Sequence, residues 1–406
     1  MNPVVVIPTY WSDRRSESED VDVGGYDHTT PLDQEVPELE RCLSSLDHVR
    51  GIVRIVVLLV CPPACERAIR RRVNTICLRH PRNQIDVVGS AEASAISRVV
   101  SRIAPEMGTE TVSLMGYGAI RNMGLAVASI LGHDVVVFMD DDEIALTNDF
   151  LVEAVYGLGQ QTRQGLPVVA KSGYFLDVRK SPFADTRRKR WYDANWTKTG
   201  DFNRWMERAL KSTRISRSNV ACGGCMALHA EAFTRIAFDP YITRGEDLDY
   251  LFDLRMYGLD MWFDNQWHVQ HLPPKTSSRP SRFLQDLFRW EYERAKILRS
   301  NASIGTGQVS AGSLMPYPGP WISSSLDNRI FWTSLWRAIG CPEHKAYFSI
   351  WAHGRREARA YAAEMSTRYL SFMTYWPVVM ARLWDNAQLA EAILRSGQVT
   401  KREMRL

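Results

Sequence analysis

Between residues 134 and 143 the chain reads Asp-Val-Val-Val-Phe-Met-Asp-Asp-Asp-Glu, an apolar run that ends in four consecutive acids. Val135, Val136, Val137, Phe138 and Met139 do not alternate with polar residues, which suits a strand covered on both faces in a parallel sheet. Sheets of that kind carry their ligand sites just beyond the carboxyl ends of the strands. Asp140, Asp141, Asp142 and Glu143 repel one another unless something positive lies among them, and an oxygen-rich donor set favours Mg²⁺ or Mn²⁺ over zinc. A metal bridging a substrate diphosphate suits such a place. The blander reading is a solvated turn that starts a helix, where acids are also favoured. The neighbouring segments decide between the two.

The 406 residues leave room for one large domain with appendages or for two to three ordinary ones. Apolar and charged fractions of 45% and 24%, with a formal net charge of +4, describe an ordinary globular chain and call for neither nucleic acid nor membrane as a partner. Met1-Asn2-Pro3 leads straight into a strand without the pattern of a signal peptide, and no run of about 18 apolar residues occurs. A cytoplasmic location is expected. Seven cysteines, an odd number spread along the chain, fit reduced thiols there. Cys222-Gly223-Gly224-Cys225 lacks the second pair of a zinc site and reads as packing thiols.

Val4 to Ile7 is a buried strand stopped by Pro8, and Thr9, Tyr10 and Trp11 follow at the edge where the acids end. An aromatic there can stack on a nucleobase while Thr9 offers a hydrogen bond. Residues 12–35 read as a long loop. The pattern then predicts a helix over 37–46, a strand over 52–60, a basic helix over 64–78, a strand over 85–88 and a helix over 91–103. Alternation of this kind indicates an α/β fold with a mostly parallel sheet flanked by helices.

Gly116-Tyr-Gly-Ala-Ile-Arg121-Asn-Met-Gly-Leu125 opens the helix that returns to the acidic strand. From Gly116 to Glu143 the chain resembles the family 2 glycosyltransferases of the GT-A fold, with their glycine-rich turn, Ala-Arg-Asn-x-Gly-Leu-type helix start and hydrophobic strand ending in Asp-x-Asp. The opening Val-Ile-Pro-Thr-Tyr resembles their first strand. The resemblance implies a nucleotide-sugar donor, UDP- or GDP-linked, bound by Pro8, Thr9, Tyr10, Arg121, Asp140 and Asp141. It also implies Mn²⁺ or Mg²⁺ on Asp140 and Asp142, although Asp141 and Glu143 have the same spacing. Gly245-Glu246-Asp247 resembles the family's second acidic motif, whose Asp is the base in inverting members, so Asp247 with Glu246 is the catalytic expectation. His271, before Leu272-Pro273, resembles a third metal ligand, and His268 faces the other side of an extended chain. The usual Asp-Asp-x-Ser after the second strand is replaced by Cys61-Pro62-Pro63-Ala64.

The rest of the domain reads as a helix over 148–158 and strands over 167–176, 219–229 and 261–271. Between residues 179 and 217, Arg187, Arg188, Lys189 and Arg190 interleave with Trp191, Tyr192, Trp196 and Trp205, a composition that grips an anionic or sugar acceptor or simply packs a helical excursion. The resemblance spans about residues 3–273, giving a GT-A domain over 1–273 and a helical region over 274–406. In the latter, helices are predicted over 283–300, 332–339, 343–384 and 386–395. The apolar stretch 369–381 suits burial, a homo-oligomer interface or shallow, peripheral membrane contact, since it is too short to span.

The reaction implied is transfer of the sugar to a hydroxyl acceptor with inversion. Retaining enzymes of the mannosylglycerate-synthase or glucosyl-phosphoglycerate-synthase type share the layout, and in them Glu246 and Asp247 would orient substrates. A nucleotidyltransferase would need a glycine-rich basic loop after the first strand, and Pro8-Thr9-Tyr10-Trp11 is not one. A silent binding module would bind metal and nucleotide without turnover.

Overall fold

The computed structural model describes residues 1–13, 29–186, 190–274, 279–303 and 305–397. Among the described residues ten strands form one sheet: β1 Pro3–Ser12, β2 Thr30–Pro31, β3 Arg54–Val60, β4 Gln84–Val88, β5 Val135–Phe138, β6 Glu143–Ala145, β7 Ala170–Leu176, β8 Ile215–Arg217, β9 Met226–His229 and β10 Met261–His271. The main order is β4-β3-β1-β5-β9-β7-β10-β6, with β2 beside β1 and β8 beside β10. Strands β4, β3, β1 and β5 are parallel, β9 is antiparallel to both its neighbours, and β10 is parallel to β7.

This topology brings the chemistry to one edge. Because β9 reverses direction twice over, β7 and β10 again run with β5, so the carboxyl ends of β1, β5 and β10 meet the segment that enters β9. Strand β6 then runs back along β10 and places Glu143 opposite His271.

The unbroken apolar strands have the expected cause. Val4 and Val6, Val56 and Leu58, and Val136 and Phe138 belong to one core cluster, while Val5, Ile7, Ile55, Val57, Val135 and Val137 belong to a second. Both faces of the sheet are therefore packed. The first cluster continues from Val4 to Ile393 without a break at residue 273, because the helices Arg279–Asn301 and Arg355–Leu383 lie on the same core.

Several elements are shorter or broken where local geometry overrides pattern. The stretch 219–225 is a loop and only Met226–His229 is strand; the helix predicted over 148–158 is Phe150–Val155. The long helix predicted over 343–384 is three pieces, His344–Ser349, a π-helical turn at Ile350–Gly354, and Arg355–Leu383 with Pro377 inside. In the stretch 369–381, Tyr369, Phe372, Trp376, Val379 and Met380 are buried, with the Trp376 indole donating to Phe233 O at 2.8 Å and the Tyr369 hydroxyl to Ala237 O at 3.1 Å. That stretch is spent on the molecule's own core. No helix among the described residues is long and apolar enough to cross a membrane.

Of the basic segment, Arg187, Arg188 and Lys189 lie outside the described residues. Of its aromatic partners, Trp205 packs against Phe263 and Trp196 against Phe283 and Trp321, while Trp191 stays exposed beside Trp336.

Candidate active site

A cavity of about 330 Å³ opens at the carboxyl edge. Tyr10, Arg121, Asp140, Asp141, Asp142, Glu143, Glu246, Asp247 and His271 line it, joined by Tyr117, Phe175, Cys222, Gly223, Gly224, Arg244 and Arg289. Most of the residues singled out in the sequence thus come together. Pro8 and Thr9 do not line it. Thr9 is fully buried, its hydroxyl donating to Asp141 Oδ2 at 2.6 Å and accepting from the Trp11 indole at 2.8 Å. Expected as a nucleotide contact, Thr9 here spends its one hydroxyl proton on Asp141 and lies buried away from the cavity lining.

The four acids have separate surroundings. Asp140 is the most open, and its Oδ1 accepts from Arg121 Nη2 at 2.8 Å. Asp141 is buried on Thr9. Asp142 is buried and its Oδ2 accepts from His271 Nε2 at 3.1 Å. Glu143 turns back to accept from the Asp140 backbone N–H at 3.2 Å, under Gly224, where a Cβ would stand 2.0 Å from Glu143 Oε2. A side chain at 224 would have to displace the Glu143 carboxylate. The Cys222 and Cys225 thiols around this turn are free and pushed well above their usual range, first by burial and then by Glu143, so they behave as packing groups.

Arg121 is buried and braces the site. Its Nε donates to Glu246 Oε1 at 3.2 Å while Nη2 holds Asp140. Burial opposes its charge, but Asp140 and Glu246 outweigh burial and raise its pKa beyond the ordinary arginine value. Glu246 is raised by burial and lowered by Arg121, so its role in this structure is to hold that arginine. Asp247 follows Gly245, whose φ of +72° starts the helix Glu246–Met256. The Asp247 carboxylate borders the cavity and accepts from Gly223 N–H at 3.2 Å and Leu248 N–H at 2.7 Å.

The acidic end carries more negative charge than its cations cover. Burial, then Asp142, pushes the Asp141 carboxyl well above the carboxylate range, and burial with Asp140 does the same to Glu143. Burial disfavours a charged His271, yet its hydrogen bond to Asp142 and the surrounding acids raise it to about 9. Oxygen donors, one imidazole and surplus negative charge suit a hard divalent cation. Among the described residues no three acidic, histidine or cysteine side chains already converge as a metal cage. Asp140 faces Arg121 and Asp142 faces His271, so the donors are present in a set that pairs internally.

Arg289, Tyr117 and Phe175 were not found from the sequence. Phe175 sets its ring edge-on to His271 at 5.2 Å, and Arg289 arrives from a helix beyond the sheet. Nothing in the spacing of Arg289-Trp290 indicates that this helix folds back onto Gly245.

Among the solved structures that align with the chain at low identity are two glycosyltransferases. The mannosyltransferase PcManGT from Pyrobaculum calidifontis, in complex with GDP-Man and Mn²⁺, is 16% identical, covering 96% of this chain and 87% of that one with a TM-score of 0.44. Glucosyl-3-phosphoglycerate synthase from Mycobacterium tuberculosis, in complex with Mn²⁺, UDP-Glc and phosphoglyceric acid, is 16% identical, covering 68% and 72% with a TM-score of 0.33. Comparison with curated protein sequences gives no match. The family model for Glycosyltransferase like family 2 matches residues 34–293, well over half of the chain and all of the site from Arg121 to Arg289, and the chain belongs to that family.

Proposed function

We propose that this glycosyltransferase moves a sugar from a UDP- or GDP-sugar to a hydroxyl acceptor with inversion, and that it depends on Mn²⁺ or Mg²⁺. The observation that carries the reading is one cavity bordered both by the acids ending β5, with His271, and by Asp247 at a helix start. Asp140, Asp142 and His271 would hold the metal, which when bound supplies positive charge to a departing diphosphate. Arg121 keeps Asp140 in place and places a second positive charge beside it. Thr9 fixes Asp141, and Tyr10 offers the nucleobase a ring to stack on. Gly223 and Leu248 hold the Asp247 carboxylate by backbone N–H groups, so that it meets the acceptor hydroxyl in a fixed orientation and takes its proton as the new bond forms.

A thermal-shift panel of UDP-, GDP- and ADP-sugars with and without Mn²⁺ tests the donor and metal together. A ligand at 100 times its Kd adds about 2.7 kcal/mol to the folded state, so one nucleotide class should raise Tm only when metal is present. A panel with no metal-dependent rise overturns the reading.

A further inference from the structure

The acids are not the only charged part of this cavity. At Gly245 the lining turns cationic, with Arg244 and Arg289 both bordering the space. Behind them and off the cavity wall, Lys198 pairs with Asp286 at 2.6 Å, and that carboxylate is held below the usual range, against burial, by Lys198, Arg244 and Arg289 together. Three cations gather about Asp286, and one of them, Arg289, also pairs with Glu293.

Arg289 is the unusual member. Its side chain is 9% exposed. Its Nε donates to Glu293 Oε1 at 3.0 Å, and its guanidinium lies over the Trp290 ring at 4.7 Å. Among the described residues neither of its terminal nitrogens has a hydrogen-bond partner. They sit against Gly245, where a Cβ would lie 2.0 Å from Nη1 and 2.5 Å from Nη2. Glycine at 245 therefore serves two ends, the left-handed turn and the approach of this arginine to the cavity. The fork of this guanidinium borders the cavity, and its planar geometry is matched by a carboxylate or phosphate that accepts two parallel bonds.

We propose that Arg289, backed by Arg244 and Lys198, is an anion subsite for a phosphate or carboxylate carried by the acceptor. The assignment to acceptor and not donor rests on the preceding reading of Asp247 as the base. Arg289 lies by Gly245 and the start of the Asp247 helix, whereas Arg121 is the arginine built into the acidic run through Asp140. An acceptor anchored there would present a hydroxyl a few bonds away to Asp247. This places an acceptor contact on the helix Arg279–Asn301.

The test is calorimetric titration of the full chain with inorganic phosphate at constant ionic strength, alone and with saturating UDP or GDP plus Mn²⁺. One saturable phosphate site is expected, its affinity changed less than threefold by the nucleotide. In Arg289→Met phosphate binding should weaken at least tenfold while nucleotide binding stays within twofold. Absence of saturable phosphate binding overturns the subsite, and so does displacement of phosphate by nucleotide and Mn²⁺ or a parallel loss of nucleotide affinity in Arg289→Met, either of which would give the arginine to the donor's diphosphate. If Arg289→Met does not fold by circular dichroism, the competition on the wild-type chain decides alone. A wild type that binds phosphate but neither nucleotide overturns the donor reading, through a separate titration.

Discussion

At the scale of single residues, Asp247 separates a base from a helix cap. Asn caps a helix about as well as Asp but cannot take a proton. Asp247→Asn is expected to lower kcat by about 10² to 10⁴-fold with donor affinity nearly unchanged. The wild-type product should show, by NMR, the anomeric configuration opposite to the donor's. An active Asn variant, or a retained configuration, removes Asp247 as an inverting base. Gly224 is constrained by contact: a methyl group 2.0 Å from Glu143 Oε2 must push the carboxylate off the Asp140 backbone. Gly224→Ala should cost about 1–3 kcal/mol of stability, as overpacking does, and weaken Mn²⁺ binding with it. Unchanged Tm and metal affinity would show that Glu143 moves freely. His271 gives a proton signature. Its pKa near 9, above the free value of about 6.5, means that its pairing with Asp142 stabilises the metal-free fold fully below pH 6.5 and fades as pH rises through 9. A metal needs the imidazole neutral, so Mn²⁺ binding at pH 7.5 should release a proton. Calorimetric enthalpies that do not vary with the buffer's ionisation heat would contradict His271 as a ligand.

At the scale of elements, the helix Glu246–Met256 is held from behind by a buried charge cluster. Lys296, from the helix Arg279–Asn301, reaches Asp249 at 2.6 Å, Asp253 at 2.8 Å and Asp239 at 3.0 Å, all four fully buried. Burial, then Asp253, pushes Asp249 well above the carboxylate range, and Asp253 rises to about 6, so one cation suffices for three acids only because part of their charge is suppressed. Lys296→Met removes the cation shared by the three acids, leaving Asp239 only its bonds from the Tyr292 hydroxyl and the Tyr241 backbone N–H, and should destabilise the fold by about 3–5 kcal/mol in chemical denaturation. A loss under 1 kcal/mol would mean that the acids are already neutral. Little of this arrangement was legible. Apolar runs gave β3 and β5 to within two residues because both faces of each are packed, and the acids at 140–143 announced the site; β1, expected to stop at Pro8, instead runs on to Ser12, with Pro8 still paired in register with Leu58 of β3. The β9 segment read longer than it is, since Gly223 and Gly224 serve a close approach to Arg121 and Glu143 and not a strand. The roles of Lys296 and Arg289 depend on how a late helix docks, and periodicity carries no record of docking.

At the scale of the whole molecule, the carboxyl ends of β1, β5 and β10 bring together side chains as far apart in sequence as Tyr10 and His271, and the helix after the sheet supplies Arg289. The helical region is therefore part of the site's construction as well as of the core. The central claim is that the acids ending β5 and His271 form a divalent-metal site on which transfer depends. Initial rates of sugar release from the donor that stabilises the chain, measured with excess chelator and again after Mn²⁺ or Mg²⁺ is restored, test it most directly. The account predicts no turnover in chelator, recovery with metal, and no recovery in Asp142→Asn; full turnover in chelator would contradict it.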